Sequence, residues 1–215
     1  MSFPSPPVSV ALGKLGTFSE KINEEFLKVT GAASLPPQAK VEALADAYFK
    51  YLYHRTPVVD RSDLQVEQPS ILLSQALCLI GTLLRHPKGS PALAASEEFY
   101  VKAKTLLYVN HEKDSLTTLK ALCLIGCWNV TPPVVVSLDC SWHWIGVTIR
   151  LAFQMGLHRE TTYSKMPNPG NARRIAWYIF VCLCPKFCRW ILIEDTGPGQ
   201  APCCMFWTPS HHQIP

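Results

Sequence analysis

Charge is scarce in this chain. Asp, Glu, Lys and Arg make up 17% of its 215 residues, against 48% hydrophobic residues. A disordered chain needs the opposite balance, so a folded protein with a sizeable apolar core is expected. Basic clusters are lacking too. The 20 Lys and Arg are interspersed with 16 Asp and Glu, which by itself is no nucleic-acid footprint. No apolar run reaches the roughly 20 residues that span a bilayer. Of the two long uncharged stretches, residues 121–138 are cut by Asn129 and Pro132-Pro133, and residues 68–84 carry Ser70, Ser74 and Gln75. A membrane span is therefore not expected. Residues 1–10 show neither a basic nor an apolar signal region, because Pro4, Pro6 and Pro7 interrupt them, so no secretory signal is read.

Catalytic signatures are missing as well. There is no Gly-x-Ser-x-Gly elbow, Walker loop, His-Glu-x-x-His helix or EF-hand loop. Gly197-Pro198-Gly199 begins like a dinucleotide fingerprint, but Pro202 stands where the third glycine belongs. His143 has no acid or nucleophile at helical spacing. The expectation is a non-enzyme with no catalytic residues. Nine cysteines, an odd number, favour a reducing compartment in which Cys78, Cys123, Cys127 and Cys140 serve as small buried hydrophobes. Cys182, Cys184, Cys188, Cys203, Cys204, His211 and His212 crowd the C-terminal end. Zinc sites favour two matched pairs of ligands two to four residues apart; here Cys182 and Cys184 would lie on opposite sides of a helix and the two histidines are adjacent, so the spacing is poor and no metal and no cofactor are expected in this chain.

What is present is helical periodicity. Thr17 and Glu20 form a capping box ahead of a stripe at Phe18, Ile22, Phe26 and Val29, ended by Gly31. Val41, Leu44, Ala45, Tyr48, Phe49 and Leu52 give the cleanest amphipathic pattern. Ser70 is placed to cap an almost wholly apolar, hence central, helix over about 70–85. Ser90 and Pro91 open a helix with Ala92, Ala95, Phe99, Ala103 and Leu106 on its face. Asp114 or Ser115 opens the next, with Leu116, Leu119 and Cys123 on one side. Asp139 is read as the cap of a helix burying Trp142, Ile145, Ile149, Ala152 and Phe153 and ending at Gly156. After a polar loop, a last helix is expected from Asn171 to about Cys182. Val134–Val136 is the one strand-like run, and nothing nearby offers it a partner. The fold class predicted is all-α, an irregular bundle of antiparallel helical hairpins. Its divisions are a loose lead-in at 1–16, a helical domain at 17–182, and an irregular Cys/Pro/Trp-rich tail at 183–215.

Between Asp139 and Trp177 the pattern becomes specific. Trp144-x5-Arg150-Leu151-Ala152-x3-Gly156-Leu157-His158-Arg159-Glu160, followed by Arg173-Arg174-Ile175-x-Trp177, resembles the fungal-specific transcription factor domain. This is the middle homology, or xylanolytic-activator regulatory, region of zinc binuclear cluster regulators. Tyr48-Phe49 with Thr56-Pro57-Val58-Val59, and the segments around Phe99–Leu107 and Ser115–Leu122, are similar to its earlier parts. Thr148 stands where the family often has alanine, Ala176 where it has a first tryptophan, and Leu183-Cys184 where it has an Asp-Arg pair. The tail beyond matches nothing in that family and is of the kind a frameshift or retained intron encodes.

The resemblance implies a nuclear regulatory domain of a transcription factor, with the transcription machinery or regulatory proteins as partners and homodimerisation open. DNA and zinc binding belong to the family's six-cysteine module, which this chain does not show, so no direct DNA binding is expected of it. The site residues the resemblance carries over are Trp144, Arg150, Gly156, Leu157, His158, Arg159, Glu160, Arg173, Arg174 and Trp177. The competing reading is a stand-alone helical module for protein interaction or a small ligand, with no role on DNA. From the residues themselves, Glu160 is predicted to pair with Arg173 or Arg174 across the loop.

Overall fold

The structure is a computed structural model and describes residues 8–66, 68–85, 92–129 and 137–184. Among these residues there is no strand, and eight α-helices follow one another: α1 (Val8–Thr30), α2 (Gln38–Tyr51), α3 (Ile71–Leu84), α4 (Ala92–Tyr108), α5 (Ser115–Ile125), α6 (Ser141–Gln154), α7 (Glu160–Tyr163) and α8 (Pro169–Trp177). A 3-10 turn covers Arg61–Leu64, and a π-helical stretch, Tyr178–Leu183, continues α8. The all-α expectation holds. None of the described helices is long and apolar enough to cross a membrane. The Ser90–Pro91 opening, the Val134–Val136 run, residues 1–7 and residues 185–215 lie outside the described residues. The chain divides into two compact units. Unit one comprises residues 1–48 and 64–118; unit two comprises residues 49–63 and 119–215.

In unit one α3 packs against α4. Every residue of α3 from Leu72 to Thr82 is buried, as a helix apolar all round requires. Ser70 caps it, its Oγ accepting from Leu73 N–H at 3.3 Å. The polar residue inside it, Gln75, is fully buried and donates through Nε2 to the carbonyls of Ala32 (3.1 Å) and Ser34 (2.9 Å). That pairing offsets the cost of desolvating the NH2 half of the amide, while its buried Oε1 has no hydrogen-bond partner among the described residues. Gly81 lets α2 come close: a Cβ there would sit 2.5 Å from the Leu44 carbonyl oxygen. Val41, Leu44, Ala45 and Tyr48 are buried as the periodicity predicts, as are Phe99, Ala103 and Leu106 of α4. Asp114 caps α5, its Oδ2 accepting from Thr117 N–H at 2.8 Å.

Two expectations for unit one are corrected. The lead-in is not loose throughout, since α1 starts at Val8. After Pro7 no proline interrupts the chain until Pro36, and Ala11, Leu12, Lys14 and Leu15 are strong helix formers. The helix is already running when it meets Thr17. The stripe Phe18, Ile22, Phe26 and Val29 is exposed rather than buried. The partly buried residues of this part of α1 are Asn23, Leu27 and Thr30, one step around the helix, and α4 is the neighbour of α1. Periodicity marks an apolar face but not which face a neighbour takes.

Candidate functional site

Unit two holds all ten residues carried by the family pattern. Its helix α6 begins after Cys140, an extended N-cap with no side-chain cap bond, so Asp139 is not the cap expected from sequence. Ser141 fastens the start of the helix instead, donating through Oγ to the Gly126 carbonyl at the end of α5. The buried residues of α6 are Trp144, Thr148 and Ala152, spaced four apart. This corrects the predicted face: Ala152 is buried, Trp142, Ile145 and Ile149 are only half-buried, and Phe153 is 49% exposed. The aromatic and branched residues outnumber the small ones on this helix, but Trp144 is the largest side chain that the core accepts whole, at 2% exposure. Thr148 is buried because its Oγ1 donates back to the Trp144 carbonyl at 2.7 Å, which removes the penalty of a buried hydroxyl.

The end of α6 is a glycine stop. Gly156 has φ +72°, the left-handed conformation that a side chain resists. Its N–H reaches the Phe153 carbonyl at 3.0 Å, and Leu157 N–H reaches Ala152 at 3.0 Å, so the last turn is satisfied in the Schellman manner. Leu157 is buried. The side chains of His158 and Arg159, just past the stop, turn to each other. Arg159 Nε donates to His158 Nε2 at 2.9 Å, and the imidazole lies 5.1 Å from the Phe153 ring.

The loop that follows is not wholly irregular, since it contains the single turn α7. Thr162 Oγ1 donates to the Gly156 carbonyl at 2.8 Å, and Tyr163 Oη donates to the Leu157 carbonyl. Burial, with a smaller push from the Glu160 carboxylate, raises the Tyr163 phenol above its ordinary value. The last helix starts at Pro169, two residues before the position expected, because Asn168 caps it, accepting from Asn171 N–H at 3.1 Å. Beyond Trp177 the helix widens into the π-stretch. There Tyr178 and Leu183, five residues apart, are both buried.

The tandem arginines separate. Arg173 pairs with Glu160, as the loop-closure argument predicts, and its guanidinium lies 5.1 Å from the Tyr163 ring centre. Arg174 turns to the segment 49–63. It pairs with Asp60, and it donates to Asn171 Oδ1 at 2.7 Å and to Tyr53 Oη at 3.4 Å. The same segment is fastened at three further points. Lys120 Nζ, on a residue 2% exposed, reaches both Asp63 oxygens at 2.7 and 2.8 Å. Asp60 N–H donates to Asp63 Oδ2 at 2.8 Å, and Thr56 and Tyr178 share a hydroxyl hydrogen bond of 3.3 Å. Tyr53, Asp60, Asp63 and Lys120 were not legible as a set beforehand. The one sequence signal was Lys120 inside the run Leu119–Ile125, since a cation on a buried face needs a carboxylate.

These contacts orient helices. A shallow cleft of about 350 Å³, lined by Glu160, Tyr163, Met166, Pro169 and Arg173 among others, lies beside the Arg173 pair. Among the described residues no three His, Cys, Asp or Glu side chains converge to hold a metal ion.

Comparison with known proteins bears on the same residues. The sequence pattern of the Fungal specific transcription factor domain matches residues 45–182. The chain is 30% identical over 174 residues to Cutinase transcription factor 1 beta of Fusarium vanettenii, covering 73% of this chain and 19% of that protein. It is 31% identical over 175 residues to Cutinase transcription factor 1 alpha of the same organism, covering 75% and 19%. With the Acetamidase regulatory protein of Aspergillus fumigatus it shares 32% over 162 residues, covering 71% and 21%. It therefore spans about a fifth of the length of these relatives. No solved structure matches it. The residues that stitch α6, α7 and α8 together fall inside the matched region, and the chain belongs to the fungal specific transcription factor domain family.

Proposed function

We propose that this chain is the regulatory domain of a nuclear transcription regulator, acting through protein partners rather than by contacting DNA itself. The observation that carries the reading is the family match over residues 45–182, the stretch in which Trp144, Gly156, Glu160, Arg173 and Arg174 order the helices. Relatives over this stretch are named as transcription factors and a regulatory protein. The chemistry agrees: Arg173 and Arg174 are paired with Glu160 and Asp60 of the same chain, and no nucleophile–base pair accompanies them among the described residues. Zinc and DNA binding are assigned to the family's separate module, and partners to the transcription machinery or its regulators.

The test is a fungal reporter strain in which the chain is fused to a heterologous DNA-binding domain. Reporter output is expected to change at least several-fold relative to the DNA-binding domain alone, and the Arg174→Ala fusion should lose that change. Unchanged output from a fusion that is expressed and nuclear would overturn the proposal.

A further inference from the structure

The end of unit two carries an apolar patch that its own helices leave uncovered. Trp177 is 51% exposed, Phe153 49% and Val181 41%. Phe153 and Phe180 meet edge to face with ring centres 5.1 Å apart. Val181 follows Trp177 by four residues, about one turn, and Phe180 is half-buried between them. The four side chains gather where α6 packs against the π-stretch and the end of α8 that leads into it. Aromatic residues half out of water at this density mark interaction sites on folded proteins.

The rim decides what fits. Arg150 stands one turn before Phe153 and is exposed. Arg159 is held beside Phe153 through its bond to His158, whose ring lies 5.1 Å from the phenyl. Arg173 stands one turn before Trp177 and pairs with Glu160, a carboxylate beside the rim. The described part of unit two has nine Lys and Arg against four Asp and Glu, whereas that of unit one has eight against nine. The basic excess of the chain thus resides where the patch is.

We propose that Trp177, Phe153, Phe180 and Val181 form the docking site for an acidic amphipathic helix of a partner protein. The apolar face of that helix covers the aromatic patch, and its carboxylates meet Arg150, Arg159 and Arg173. A second copy of this chain fits less well, because a twofold contact would bring arginine rims together. A nucleic acid would meet the cations but leave Val181 and the phenyl rings against sugar and phosphate. The docking site stands apart from the transcriptional role: a peptide-binding failure and an inert reporter fusion are read in separate assays.

The experiment uses the full chain and a labelled synthetic helix with Leu and Phe at i, i+3, i+4 and i+7 flanked by Glu, followed by fluorescence anisotropy. Saturable binding is expected, weakening as salt rises. Replacing the peptide's Glu by Lys should weaken it by about tenfold or more, since reversing several close charges is worth at least ~1.4 kcal/mol. Trp177→Ala and Arg150→Glu, both at exposed positions, should each weaken it while melting temperature and helicity stay unchanged. Equal binding of the Glu and Lys peptides, or none of either, overturns the proposal. So does a concentration-dependent dimer broken by Phe153→Ser, or a duplex oligonucleotide bound in a Trp177-dependent way.

Discussion

Arg173 and Arg174 are neighbours with different energetics. The Arg173–Glu160 pair is half exposed or more on both sides, so water and salt screen it, and Arg173→Ala should cost about 0–1 kcal/mol in chemical denaturation. Arg174 and Asp60 are each about 30% exposed, and Arg174 also holds Asn171 and Tyr53. Its loss should cost about 1–3 kcal/mol, between the exposed and the buried limits. Lys120→Ala should be worse, at about 3 kcal/mol or more, because Asp63 would keep its charge with little water to hold it. A Lys120→Ala protein that melts like the parent would show that Asp63 finds another cation. Cysteine reactivity divides on the same physics. Burial pushes the Cys78 thiol up to about 11 and raises the fully buried Cys123 further, so neither supplies thiolate near neutral pH. Cys127 is exposed. Peptide mapping after iodoacetamide treatment of the native chain at pH 8 should find Cys127 modified well before Cys78 and Cys123, and the reverse order would contradict the packing.

Among elements, α6 shows how much of a helix is legible in advance. Its existence, and its end at Gly156, follow from spacing and from the glycine that a left-handed stop requires. Its buried face does not follow, because apolar residues occur nearly all round it and the neighbours select among them. Trp144→Ala should therefore cost about 3–5 kcal/mol, the range for emptying a large core site, while Phe153→Ala, half exposed, should cost about 1–2 kcal/mol from lost area alone. Thermal melts of the two variants decide between this face and the one periodicity predicts. Gly81 in α3 is a sharper case. A methyl group there would meet the Leu44 backbone at 2.5–2.7 Å, so Gly81→Ala should destabilise by about 1–3 kcal/mol or more, although alanine is the better helix former. The outward stripe of α1 teaches the same point as α6. Ser70, Asp114 and Gly156 mark helix ends as the sequence predicts, whereas the Thr17 capping box falls inside α1; the side that a helix turns inward is a property of its neighbours.

At the scale of the whole chain, composition called for a folded, apolar protein of no strong overall charge and periodicity for a helical one, and the described residues are helical. The basic residues nonetheless concentrate in unit two, a distribution hidden when 20 cations are counted against 16 anions along the chain. Those cations are partly consumed by Glu160, Asp60 and Asp63, so the chain alone should show no sequence-specific DNA footprint at ~150 mM salt, where weak phosphate attraction is suppressed. A protected site on duplex DNA under those conditions would overturn this.

Local information was enough for the helical class, for most helix positions, for the glycine stop at Gly156 and for the Glu160–Arg173 pair, because caps, periodicity and a short loop act between residues near in sequence. The Arg174–Asp60 and Lys120–Asp63 pairs, the close approach of Gly81 to Leu44, and the outward turn of Phe153 join or sort residues far apart in the chain. No local preference encodes those choices. They arise when helices with several usable apolar faces compete for one interior, and each buried charge must find its counterion there.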